Sequence, residues 1–86
     1  MAAISKTKNQ PITVREMADG HYPRVFTWRG RDFEVVEIGG TWRLLGRWWE
    51  GDGERRFVRI ITSTGACLDL CHYKSADLWQ VHKVYD

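Results

Sequence analysis

The stretch TWRLLGRWWEGDGERRFVRII, residues 41–61, restricts the fold more than any other part of the chain. Three of the five tryptophans and five arginines fall within it, on either side of a short acidic, glycine-rich turn. Alternation with a period of two over so bulky a set reads as two antiparallel strands rather than a helix. A chain of 86 residues buries only roughly 60 to 65% of its extended surface on folding. Its core must therefore be built from large side chains, and these rings are the main supply.

The rest of the chain repeats the pattern. Residues 12–17 alternate as a short edge strand, and residues 18–23 form a turn region. RVFTW, residues 24–28, is dense in β-formers, and Arg29-Gly30 offers a tight turn into RDFEVVEI, residues 31–38. The alternation there restarts one residue late, which predicts a β-bulge at Val35-Val36. Gly39-Gly40 reads as a two-residue hairpin turn leading into a further strand over 41–49, with a bend at Gly46. After the turn at 50–54, residues 55–62 return antiparallel. Strands over 66–72 and 78–85 follow, the last with Trp79, Val81 and Tyr85 on one face. Residues 1–10 lack periodicity and are expected to be a flexible N-terminal tail, with 11–86 as a single β-domain. The predicted fold is all-β, a small antiparallel meander of six or seven strands closed as a curled sheet or small barrel.

Composition restricts the classes of function. With 43% hydrophobic and 28% charged residues the chain is globular rather than disordered. No apolar run approaches the ~18 to 20 residues of a spanning helix, and polar residues interrupt the N-terminal MAAISKTKNQPITV at once. The expected location is the cytoplasm. A formal charge of +2 permits nucleic acid as a partner without demanding it. Nine of the thirteen cations are arginine, the residue suited to forked contact with phosphate and to stacking on rings.

Catalytic chemistry has little support. Cys67 and Cys71, four apart on one strand, stand about 13 Å from each other and are expected to be free thiols rather than a bridge. With His72 they match no established zinc spacing, so neither a metal nor another cofactor is expected. His21, His72 and His82 are scattered, and Gly51-Asp52-Gly53 lacks the lysine and helix of a phosphate loop. The stronger lead is the constellation of Arg43, Arg47, Arg56 and Arg59 around Trp42, Trp48 and Trp49. Arginines on a curved sheet hold phosphates while exposed rings stack on bases, the roles expected here of the four arginines and of Trp48 or Trp49. The competing reading makes the tryptophans core and pairs Glu34 and Glu37 with Arg43 and Arg47 across strands.

At GRWWEGDGERRFVRIITSTG and the closing WQVHKVYD, the chain resembles a small domain family with two settings. It occurs as short stand-alone proteins of unassigned function. It also occurs at the C-terminus of the polymerase-like (ImuB-like) subunit of bacterial mutagenesis cassettes, a Y-family DNA polymerase homologue used in damage tolerance. The shared pattern is a Trp strand at Trp42, then Arg47-Trp48-Trp49, an arginine strand at 55–59, Thr64-Gly65, Trp79 and a terminal Val84-Tyr85-Asp86. The resemblance spans residues 23–86 and departs from the pattern at 67–77, where CLDLCHYKSAD is longer and carries cysteines. It implies a non-catalytic accessory module that contacts nucleic acid or a DNA-repair protein. A protein-interaction module unrelated to DNA is the alternative, and a small enzyme the third reading.

Overall fold

The computed structural model describes residues 5–19, 22–45, 54–74 and 77–85. Seven strands make up the fold: β1 (Ser5–Pro11), β2 (Thr13–Ala18), β3 (Tyr22–Trp28), β4 (Arg31–Leu45), β5 (Glu54–Thr62), β6 (Cys67–Tyr73) and β7 (Leu78–Tyr85). They form one antiparallel sheet in the order β1-β7-β6-β5-β4-β3-β2. The sheet curls into a half-barrel, as the aromatic-rich meander predicts. The two strands at the ends of that order are consecutive in the chain, separated only by Ile12, whose N–H donates to the Trp79 carbonyl at 3.1 Å.

Local chemistry fixes the corners. Arg29 and Gly30 both adopt positive φ, 55° and 73°, the conformation of a tight two-residue hairpin turn whose twist matches its strands. Trp28 accordingly pairs with Arg31. The expected bulge is present: Val35 faces Thr62 and Glu37 faces Ile61, leaving Val36 as the extra residue.

Three expectations need correction. Gly39-Gly40 is not a hairpin turn, because β4 runs straight through it and neither glycine has a positive φ. Gly39 is instead the extra residue of a second register shift, between Ile38 and Gly40. A Cβ on it would lie 3.3 Å from Arg59 Cγ, so the glycine there gives room to a side chain on the neighbouring strand. The tail is the second correction. From Ser5 onward it is β1, paired with β7 from Ser5↔Tyr85 to Pro11↔Gln80. Gln10 Oε1 accepts from Trp28 Nε1 at 3.0 Å and from Arg29 Nε at 3.1 Å, so β1 is tied across the curl to β3. Polar β1 satisfies its backbone on β7 rather than by burying its own side chains. Third, Tyr85 does not share a face with Trp79 and Val81. A register shift opposite Asp69/Leu70 leaves His82 as the additional residue and reverses the alternation beyond it.

These bulges keep the inner face in register across four strands. Ile38, Ile60, Leu68 and Val84 form one cross-strand row, and Thr41, Val58, Leu70 and Val81 the next. Phe26, Trp28 and Val35 cover them from the other side of the curl, with Phe33 stacked on Phe26 at 5.5 Å. Ile60, Leu70 and Val81 are fully buried, each contributing about 1.5–3 kcal/mol relative to exposure.

Candidate functional site

One strand step beyond the second apolar row, the inner face changes character. The third row reads Arg43 on β4, Arg56 on β5, His72 on β6 and Trp79 on β7, each directly opposite the next. The cause is the alternation of each strand: Arg56 continues the series Thr62, Ile60, Val58, and His72 continues Leu68, Leu70. Like charges directly opposite on neighbouring strands are destabilising. Two arginines set face to face concentrate positive charge at this end of the inner face, offset in part by Glu54.

Arg43, Arg56 and His72 of this row line an open pocket of about 430 Å³, together with Thr41, Trp42, Glu54 and Lys74. Glu54 is the one carboxylate in the lining among the described residues. It accepts from Arg43 Nη1 at 3.0 Å and lies 3.6 Å from Lys74 Nζ, which holds both cations at the pocket wall. His72 is anchored as well. Its ring stacks on Trp79 at 4.5 Å, and its Nε2 is 2.9 Å from Asp77 Oδ1. A second, smaller cavity of about 50 Å³ adjoins the first, sharing Thr41 and Arg56 with it and lined further by Tyr22, Val58 and Trp79.

Of the residues expected to bind nucleic acid, Arg43 and Arg56 come together here. Arg59 does not. Three positions from Arg56 on an unbroken strand, it projects from the outer face opposite Gly40. There its Nε donates to Asp69 Oδ1 at 2.9 Å, and its Nη2 donates to Asp69 Oδ2 at 3.4 Å and to the Tyr85 hydroxyl at 2.7 Å. Tyr85 in turn donates to Asp69 Oδ2 at 2.5 Å. The guanidinium lies over Tyr85 at 4.7 Å and over Trp42 at 5.5 Å. Asp69 is 1% exposed, so Arg59 is committed to a buried carboxylate. That hydrogen bond and charge hold Arg59 more firmly protonated than a free arginine, and donation to Asp69 raises the Tyr85 phenol above its usual value.

Arg47, Trp48 and Trp49, with the bend at Gly46 and the turn at 50–53, lie outside the described residues. Glu34 does not pair with Arg43: it accepts from Arg24, as does Glu16. Trp42 is 37% exposed and stacks nearly parallel on Phe57 at 5.4 Å.

The pattern of a family described as a domain of unknown function, DUF6504, matches residues 3–86. The chain belongs to the DUF6504 family. No curated protein and no solved structure matches it. The DUF6504 match covers every described strand, so the cationic row and the Arg59–Asp69–Tyr85 network both fall inside the family's domain.

Cys67 and Cys71 are free thiols, as their spacing requires. Burial pushes the Cys71 thiol up, away from the thiolate that a nucleophile or metal ligand must supply. No cluster of metal-ligating side chains occurs among the described residues. Sequence reasoning missed His72 and Lys74 as partners of the arginines. The signal was the turn at 63–65: with Ile61 opposite Cys67, counting back along both strands sets Arg56 opposite His72.

Proposed function

We propose that this DUF6504 chain is a non-catalytic binding module for nucleic acid, with Arg43, Arg56 and Lys74 receiving phosphate oxygens in the inner-face pocket. The single observation that carries this reading is the cross-strand alignment of Arg43, Arg56 and His72. Self-repulsion within that row is relieved when an anion enters, so binding and stability become coupled. Phosphate is the anion the arginine fork fits best. The resemblance in the RWW and terminal Trp segments supports a role in DNA damage tolerance, alongside repair proteins.

The decisive experiment is a titration with a short single-stranded oligonucleotide at several salt concentrations. Two phosphate contacts removed by an Arg43→Glu, Arg56→Glu pair should flatten the log–log salt dependence by about 1.4. Wild-type affinity and slope in that variant would reject the reading. A repair protein is the second candidate partner. It is supported by Met17 and Leu78, exposed beside a cavity of about 300 Å³ next to Ile12 and Trp79. Association that ignores salt would favour it.

A further inference from the structure

Glu54 and Arg56 stand two residues apart on β5, so the alternation that turns Arg56 to the inner face turns Glu54 there too. Glu54 lies opposite Leu45, one diagonal step from Arg43, whose own place opposite Arg56 sets it against a like charge. The guanidinium leans along the diagonal instead, and its Nη1 donates to Glu54 Oε1 at 3.0 Å. Lys74 follows the end of β6. Its backbone N–H donates to the Glu54 carbonyl at 3.2 Å, and its Nζ lies 3.6 Å from Glu54 Oε2.

One carboxylate thus takes two cations, one on each oxygen. Its side chain is 19% exposed, against 70% for both Arg43 and Lys74, so the anion is the enclosed member and the cations lie over it. Arg56, exposed in the same pocket, takes part in neither pair. Ion pairs whose cations are this exposed are weak enough to exchange partners. Linked phosphate groups bring more negative charge than one carboxylate, and Arg56 offers them a contact that Glu54 does not use.

We infer that Glu54 is the resident anion of this pocket, an internal competitor that covers Arg43 and Lys74 until linked phosphate groups displace it. This rests on reading the pocket as a phosphate site, and it adds that the carboxylate sets the charge a ligand must exceed to enter. A lone carboxylate or chloride gains nothing by the exchange. The same contact offsets the repulsion between Arg43 and Arg56 in the unliganded fold. Glu54 therefore acts on stability and on affinity in opposite directions.

The test measures binding of a dT hexamer and of tripolyphosphate to the full chain at low salt, in wild type, Glu54→Gln and Glu37→Gln. Glu37 is an exposed acid on β4 outside the pocket lining, and its loss changes the net charge equally. Glu54→Gln should tighten binding by about fivefold and lower the urea midpoint, in protein whose amide spectrum stays dispersed, while Glu37→Gln should change affinity by less than about twofold. In an Arg43→Gln, Lys74→Gln background the gain from Glu54→Gln should disappear, since a competitor acts through the cations it covers.

A gain no larger than that of Glu37→Gln, or one that survives in the doubly substituted background, overturns the competitor and leaves nucleic-acid binding standing. Weaker binding by Glu54→Gln overturns it as well, making Glu54 a residue that positions the cations. Tighter tripolyphosphate binding by a chain that ignores the hexamer supports the competitor and removes the nucleic-acid reading. Silence of every variant toward both probes removes both.

Discussion

Arg43 and Arg56 stand directly opposite one another on β4 and β5, and Glu54, which accepts from Arg43, belongs to the same strand as Arg56. Two guanidinium groups so placed oppose folding slightly. Arg56→Gln should therefore raise stability by about 0.5 kcal/mol or leave it level, read from the urea midpoint, while oligonucleotide affinity falls. A midpoint lowered by the equivalent of about 2 kcal/mol would mean that Arg56 is a structural residue and not a ligand-binding one.

The outer face predicts the reverse. Asp69 is buried beneath Arg59 and Tyr85, and removing a partner of a buried charge leaves it uncompensated. Arg59→Ala, which strands the Asp69 charge with the Tyr85 hydroxyl as its remaining side-chain partner, should lower stability more than Tyr85→Phe, which should cost about 1 kcal/mol. Oligonucleotide binding by the Tyr85→Phe protein should match wild type. Denaturation and binding curves together would detect the contrary case, in which the network is part of the site.

Adjacent glycines in β4 should respond differently to the same change. At Gly39 a methyl group meets Arg59 Cγ at 3.3 Å, whereas at Gly40 it meets nothing. Gly39→Ala must displace a side chain that Asp69 and two rings hold in place, and should cost about 1 kcal/mol. Gly40→Ala should stabilise by about 0.5 kcal/mol, since a strand-interior glycine loses backbone entropy without needing its freedom. A true hairpin turn at this pair would make Gly40→Ala strongly destabilising, so thermal melts of the two variants test the course of β4 directly.

Two groups give the fold a testable pH dependence. Burial, with help from Lys83, lowers the His82 imidazole below its usual 6.5; the ring packs edge-on against Phe57 at 5.1 Å, and its Nδ1 is 2.9 Å from Asn9 Oδ1. The unfolded chain then takes up the proton more readily, so this contribution is whole above pH 6.5 and is lost as the pH falls through the depressed folded-state value. Tyr85 acts at the other limit. Its phenol is raised by donation to Asp69, so its contribution is whole below pH 10 and is lost as the pH rises through the folded-state value. Stability profiles of His82→Gln and Tyr85→Phe should be flatter than wild type on the acid and alkaline sides respectively.

The strands of residues 54–62 and 67–73 were legible because their alternation is unbroken and one tight turn fixes their pairing. The bulge at Val36 was legible for a related reason: a single slip in alternation has few other causes. Gly39-Gly40 misled because a glycine pair signals either a turn or a close approach, and the side chain that approaches, Arg59, is twenty positions away. Strand β1 was hidden because its residues are polar and its partner lies at the far end of the chain. At the site, Arg43 and Arg56 were found by their density near tryptophan, but density takes no account of sides. The parity that sends Arg59 outward, and the carboxylate that awaits it on the next strand, emerge only when register is counted across β4, β5 and β6.

Pairing of β1 with β7 has a consequence for synthesis. On the ribosome, the six strands from β2 to β7 can zip up in sequence, each hairpin forming as its second arm emerges. Ser5 must wait for Tyr85. Closing that longest of contacts comes last and is entropically slow, so the nascent half-barrel carries an open seam along β7 until Ser5 finds Tyr85.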